Sequence, residues 1–118
     1  MIRYLAAMAV GVFAFLNAPI LSAHHGWSGY DSATVLNLTG PIARVSYVNP
    51  HVEIDVNADG KTWTAILAPL FRMQARGLPE DSLKVGDRVT LVGYPHRDKT
   101  GELRAERIVV AGKTVELR

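Results

Sequence analysis

From Thr34 to Val48 the chain carries a long β-prone run that is interrupted once, by Gly40-Pro41. Proline brings no N–H to a ladder and glycine weakens a strand interior, so this pair does not continue a regular central strand and marks a bend or bulge. A strand kinked in its middle suits a small sheet that closes on itself, because one strand can then serve both halves. The next segment keeps a period of two: Val52, Ile54 and Val56 alternate with His51, Glu53 and Asp55, the pattern of a strand with one buried face. Asn57-Ala58-Asp59-Gly60 reads as a hairpin turn, after which Trp63, Ala65 and Leu67 line the core side of a returning strand. These three strands make a meander.

Beyond the meander, Pro69 suits a first helical position and Gly77 a helix terminator, with Leu70, Phe71, Met73 and Gln74 between them at helical spacing. Two turns are too few to stand alone, so packing must hold this helix, and Met73 is assigned to that packing rather than to a soft copper(I) site. Leu78 to Gly86 connects to a fourth strand that begins with Val89 and Leu91 and ends at Tyr94-Pro95. A fifth is expected from Leu103 to Val110, continuing after Gly112 to Leu117. The expected fold is therefore all-β with one short helix, a small five-stranded OB-like barrel. An SH3-like barrel has similar strands but usually lacks a helix between the third and fourth.

Ahead of this domain lies a leader with three parts: Arg3, an apolar stretch from Tyr4 to Leu16, and a more polar tail from Asn17 to Ala23. Ala23 is a small residue of the kind that precedes a cleavage bond, whereas a cut after Ala18 would place Pro19 immediately downstream. The chain accordingly divides into a secretory leader, 1–23, a histidine-bearing tail, 24–33, and a barrel domain, 34–118. A periplasmic protein without a membrane anchor after cleavage is the expectation, with an uncleaved N-terminal anchor as the alternative. Removing residues 1–23 from 118 leaves 95, enough for one core. Only Arg3 of the 13 Lys and Arg residues leaves with the leader, and 12 then face 11 acidic residues, which gives no nucleic-acid footprint. The absence of cysteine excludes disulfides, thiolate metal sites and cysteine nucleophiles.

Four segments, His24-His25-Gly26-Trp27-Ser28-Gly29-Tyr30-Asp31, Thr39-Gly40, Val48-Asn49-Pro50-His51-Val52-Glu53-Ile54 and Leu83-Lys84-Val85-Gly86-Asp87-Arg88-Val89, resemble the DUF6152 family of small exported bacterial proteins. The paired histidines and Asn-Pro-His are the most specific elements of this resemblance, which spans the chain after the leader. Gly26-Trp27 departs from the serine and phenylalanine that the family more often has there. Because the family has no assigned activity, the resemblance implies architecture and compartment alone.

The histidines are the residues with the clearest chemical vocation. Cleavage after Ala23 would free the α-amine of His24, which with Nδ1 of the same residue can chelate one ion. A third nitrogen from another imidazole would complete a set suited to copper(II), which favours tetragonal nitrogen and oxygen coordination. In the OB-like arrangement His51 opens the second strand and His96 opens the loop between the fourth and fifth, so both border one surface. Strand alternation puts Glu53 and Asp55 on the same face as His51. His24 and His51 are the expected principal metal ligands, with His25 and His96 as auxiliaries, and Trp27 and Tyr30 are expected to fold the tail back against the barrel.

Each residue also has a plainer assignment. The paired histidines can be an unanchored start to the domain, His51 can hydrogen-bond a loop backbone, and His96 can stand in solvent with the charge pairs between Arg97 and Arg107, read as a solvated hairpin. Glu53 and Asp55 without a cleft are surface carboxylates, and no phosphate cradle or His-Glu-x-x-His helix occurs, so no catalysis is assigned. The expected function is a non-enzymatic periplasmic metal-binding module that captures or delivers copper. The alternatives are an accessory or chaperone module for an exported partner protein and a small-molecule-binding OB domain.

Overall fold

A computed structural model describes residues 26–118; the leader, His24 and His25 lie outside the described residues. The elements are β1 (Leu36–Ser46), β2 (Glu53–Ala58), β3 (Lys61–Ile66), α1 (Leu70–Ala75), β4 (Arg88–Pro95), β5 (Glu102–Val110) and β6 (Lys113–Glu116). No helix among the described residues is long and apolar enough to cross a membrane.

The kink at Gly40-Pro41 is where β1 changes partners. Leu36 to Pro41 pair with β4, and Ile42 to Ser46 pair with β2, with the register slipping between Ile42 and Arg44. Proline contributes no ladder donor, and here the chain leaves one ladder for the next. β2 and β3 form the expected hairpin through Asp59-Gly60, whose φ values of 52° and 76° are those of a turn that matches strand twist. β4 and β5 run antiparallel, and β5 then lies parallel to β3 through Thr64↔Glu102, Ala65↔Leu103 and Ile66↔Arg104. That three-pair seam closes the ring. The fold is all-β, a closed five-stranded mixed barrel of OB-like order with one short helix and one added strand.

The added strand corrects the sequence reading, which ran the fifth strand on to Leu117. At Ala111 and Gly112 both φ angles are positive, 51° and 73°, so the chain reverses in two residues and β6 pairs back on β5 from Val110↔Lys113 to Arg107↔Glu116.

Inward positions of the strands fill one core in which Val52, Ile54, Val56, Ala65, Leu67, Leu91, Leu103 and Ile108 are fully buried. Met73 is buried from α1, while Phe71 on the same helix is 68% exposed. The helix begins one residue later than expected, with Pro69 extended as its cap, and Gly77 at φ 82° ends it. Arg72 and Arg76 donate to the carbonyls of Leu117 and Glu116 at 3.2 and 2.9 Å, which fastens the helix to the end of β6. The loop from Leu78 to Gly86 holds one 3-10 turn, Glu80–Ser82, and returns Leu83 to the core.

Candidate functional site

The described part of the N-terminal tail lies on the barrel wall beside the β3–β5 seam. Trp27–Gly29 form one 3-10 turn, and Tyr30 pairs with His96 as an antiparallel bridge. Asp31 N–H donates to the Pro95 carbonyl at 2.8 Å, and Arg97 N–H donates to that of Gly29 at 2.9 Å. The Asp31 carboxylate then accepts from Ala33 N–H and Thr34 Oγ1, at 3.1 and 2.8 Å, and turns the chain toward β1. The expectation that Trp27 and Tyr30 fold the tail back describes this arrangement.

Two clusters hold the tail. In the first, Tyr30 is buried outside the main core cluster and its hydroxyl donates to Glu102 Oε2 at 2.9 Å. Burial, followed by that bond to a carboxylate, pushes the phenol well above the ordinary tyrosine value. The ring meets His96 edge-on at 5.1 Å. His96 is not solvated, its side chain being 16% exposed. Its Nδ1 accepts from the amides of Asp98 and Lys99 at 3.0 and 2.9 Å, which assigns the ring proton of the neutral form to Nε2. Nε2 faces Glu102 Oε2 at 3.9 Å. His96 therefore clasps the tail, and with Nδ1 taken by two amides and the proton on Nε2 its neutral ring has no lone pair left for a metal unless those amide bonds are released.

In the second cluster, the guanidinium carbons of Arg104 and Arg118 lie 4.8 and 4.6 Å from the centroid of the Trp27 ring, and Tyr94 meets the same ring at 6.0 Å. Arg104 is only 5% exposed, which corrects the reading of the Arg97–Arg107 stretch as a solvated hairpin. The tail is what covers it. No local sequence signal marks this burial, although two aromatic residues in a short polar tail call for a surface to cover.

His51 lies two residues ahead of β2, where Val52 already exchanges backbone hydrogen bonds with Ala68 and Leu67 at 2.8 Å. By alternation it shares the outward face with Glu53 and Asp55. Those carboxylates are already engaged. Arg44 grips Asp55 through Nε and Nη2 at 2.9 and 3.1 Å, Thr64 donates to it at 2.9 Å, and Arg44 reaches Glu53 at 3.6 Å. Among the described residues no group of three or more His, Asp or Glu side chains is placed to hold a metal ion, so the barrel alone supplies no complete ligand set.

The Arg44 bond, assisted by Thr64 against the opposing effect of burial, holds the Asp55 carboxyl below its ordinary value. A folded-state pKa below the unfolded one adds stability above the unfolded value of about 4, and that stability disappears as the pH falls through the depressed folded value. Asp55→Asn is thus expected to lower the denaturation midpoint at pH 7 and to match the parent chain near pH 2. A constant difference at both pH values would refute the ion pair as its cause.

The fold and this wall define an OB-like barrel with an N-terminal tail docked along its closing seam. A family profile matches residues 14–104, and the chain belongs to DUF6152, a family of unknown function. No curated protein matches it.

Proposed function

We propose that this is an exported, non-enzymatic metal-binding module that captures or hands on copper. Its principal ligands are the amine and imidazole of a processed His24 and the ring of His51, assisted by His25 and by His96, whose ring joins only on releasing the amides of Asp98 and Lys99. The observation that supports this reading is the docked tail. Trp27 and Tyr30 are fixed on the wall of β5, and His25 is joined directly to Gly26. β2 is separated from β5 by β3 alone, about 10 Å across the sheet, and an extended chain covers about 3.5 Å per residue. From Trp27 that distance is about three residues of extended chain, the number that separates Trp27 from His24 in the sequence.

The donor chemistry fits a borderline ion that prefers nitrogen. Binding requires a neutral amine and neutral imidazoles, so affinity rises as the pH passes upward through about 6.5 and then about 8, and falls in mild acid. The test is a copper(II) titration of the processed chain beginning at His24 against the same chain with one extra N-terminal residue, followed by His51→Ala. The authentic terminus is expected to bind at least tenfold more tightly than the extended one, and His51→Ala to lose a similar factor. Equal affinity for the two termini would overturn the proposal.

A further inference from the structure

We propose that Arg104 and Arg118, which lie over the Trp27 ring, with Arg72 close enough to act on Arg104, form a binding site for a small oxyanion, the carboxylate or phosphate group of a ligand. The inference is independent of the copper reading and begins with an electrostatic imbalance. Arg104 is only 5% exposed, and its Nε has no hydrogen-bond partner among the described residues. A buried guanidinium is ordinarily held by a carboxylate, because the loss of hydration costs several kcal/mol that an unpaired charge does not recover. Here the charged side chains that act on it are two further arginines, Arg72 and Arg118, which repel it. Tyr30 would favour the cation as a phenolate, but its burial keeps the phenol protonated at neutral pH. The Trp27 face at 4.8 Å offers a cation–π contact, which recovers less than the burial costs.

The chain has no carboxylate side chain to spare for this position. All 11 acidic residues fall between Asp31 and Glu116, so residues 1–25 supply none. Those nearest in the sheet are committed elsewhere. Glu102 accepts from Tyr30 and faces His96, Glu106 accepts from Tyr94 at 2.7 Å and meets Arg118 at 3.8 Å, and Glu116 holds Arg107 at 2.9 Å. An external anion is what the arrangement lacks. Guanidinium groups match carboxylate and phosphate oxygens with paired donors, and Arg118, whose side chain is 56% exposed, gives the site its solvent-facing side.

The test is thermal unfolding of the full processed chain at pH 7 in sodium chloride, sodium phosphate and sodium succinate at matched ionic strength. Either oxyanion is expected to raise Tm saturably, by about 5 °C or more at tenfold excess over Kd, through binding to the folded state alone. A rise with phosphate alone assigns a phosphoryl group, and one with succinate alone a carboxylate. Arg104→Met is expected to unfold at a higher temperature than the parent chain in chloride, because the unpaired buried charge is gone, and to lose the anion response. Arg118→Gln changes an exposed side chain, keeps the fold and is expected to require at least tenfold more anion for the same shift. It decides the matter should Arg104→Met fail to fold. Phosphate also stabilises proteins by exclusion from their surfaces. The proposal is overturned if neither anion exceeds chloride, or if Arg118→Gln responds as the parent chain does.

Discussion

Replacing Gly40 with alanine is expected to remove most of the barrel's stability, about 3 kcal/mol or more, since the added methyl overpacks a crossing that has no flexible neighbour. A Cβ at this position would run into the carbonyl oxygen and carbon of Asn57, which are backbone atoms of β2. Side chains can turn aside, but this carbonyl is fixed in the β2–β3 hairpin. Gly40 pairs with Val89 of β4, and two residues later Ile42 pairs with Val56 of β2, so displacement of either backbone disturbs both ladders at once. Gly60→Ala is the matched control. Its Cβ would meet nothing within 4 Å, and only the positive φ of 76° opposes it, a cost of about 1 kcal/mol. Urea denaturation of the two variants checks the contrast. Equal small losses would show that β1 and β2 do not cross as closely as the structure draws them.

The same position shows how far a sequence reaches. Gly40-Pro41 announced a bend in β1, and the alternation from Val52 to Val56 announced which face of β2 is buried, because both properties are local. Period-two patterning is legible wherever a strand keeps its phase. β5 does not keep it. Leu103 and Ala105 point inward, then Ile108 and Val110 do, and the slip falls opposite Val92 and Gly93, where the register of β4 and β5 shifts. Ala111 hid the reversal into β6, since alanine seldom takes a positive φ. The wall that holds the tail was legible only in outline. Trp27 and Tyr30 suggested a docked tail, but the burial of His96 and Arg104 depends on residues some 66 to 77 positions away in the chain. No local pattern within a charge-rich hairpin distinguishes a covered arginine from a solvated one.

Tyr30→Ala is expected to be the second most damaging substitution, costing about 3 kcal/mol, in the range of other large-to-alanine changes at buried aromatic sites. The expectation follows from position rather than from core membership. Tyr30 lies outside the main cluster, but it covers the β3–β5 seam, which closes the barrel with three residue pairs. Its removal leaves Glu102, which pairs with Thr64 in the seam, without its hydroxyl donor. Tyr30→Phe separates the two effects, since it keeps the ring and loses the 2.9 Å bond, and is expected to cost about 1 kcal/mol. Amide exchange reports where the loss falls. In Tyr30→Ala the amides of Asp31, Arg97 and Thr64 should exchange about a hundredfold faster, because their hydrogen bonds bind the tail and the turn at Gly101 to the seam. Unchanged exchange at those three amides, with unchanged stability, would mean that the tail rests on the barrel without closing it. Because Trp27 and Tyr30 stand on one short peptide, opening the seam should also free the Trp27 ring from Arg104. Tyr30→Ala should therefore weaken the response to oxyanions, whereas Tyr30→Phe, with its ring still in place, should retain it.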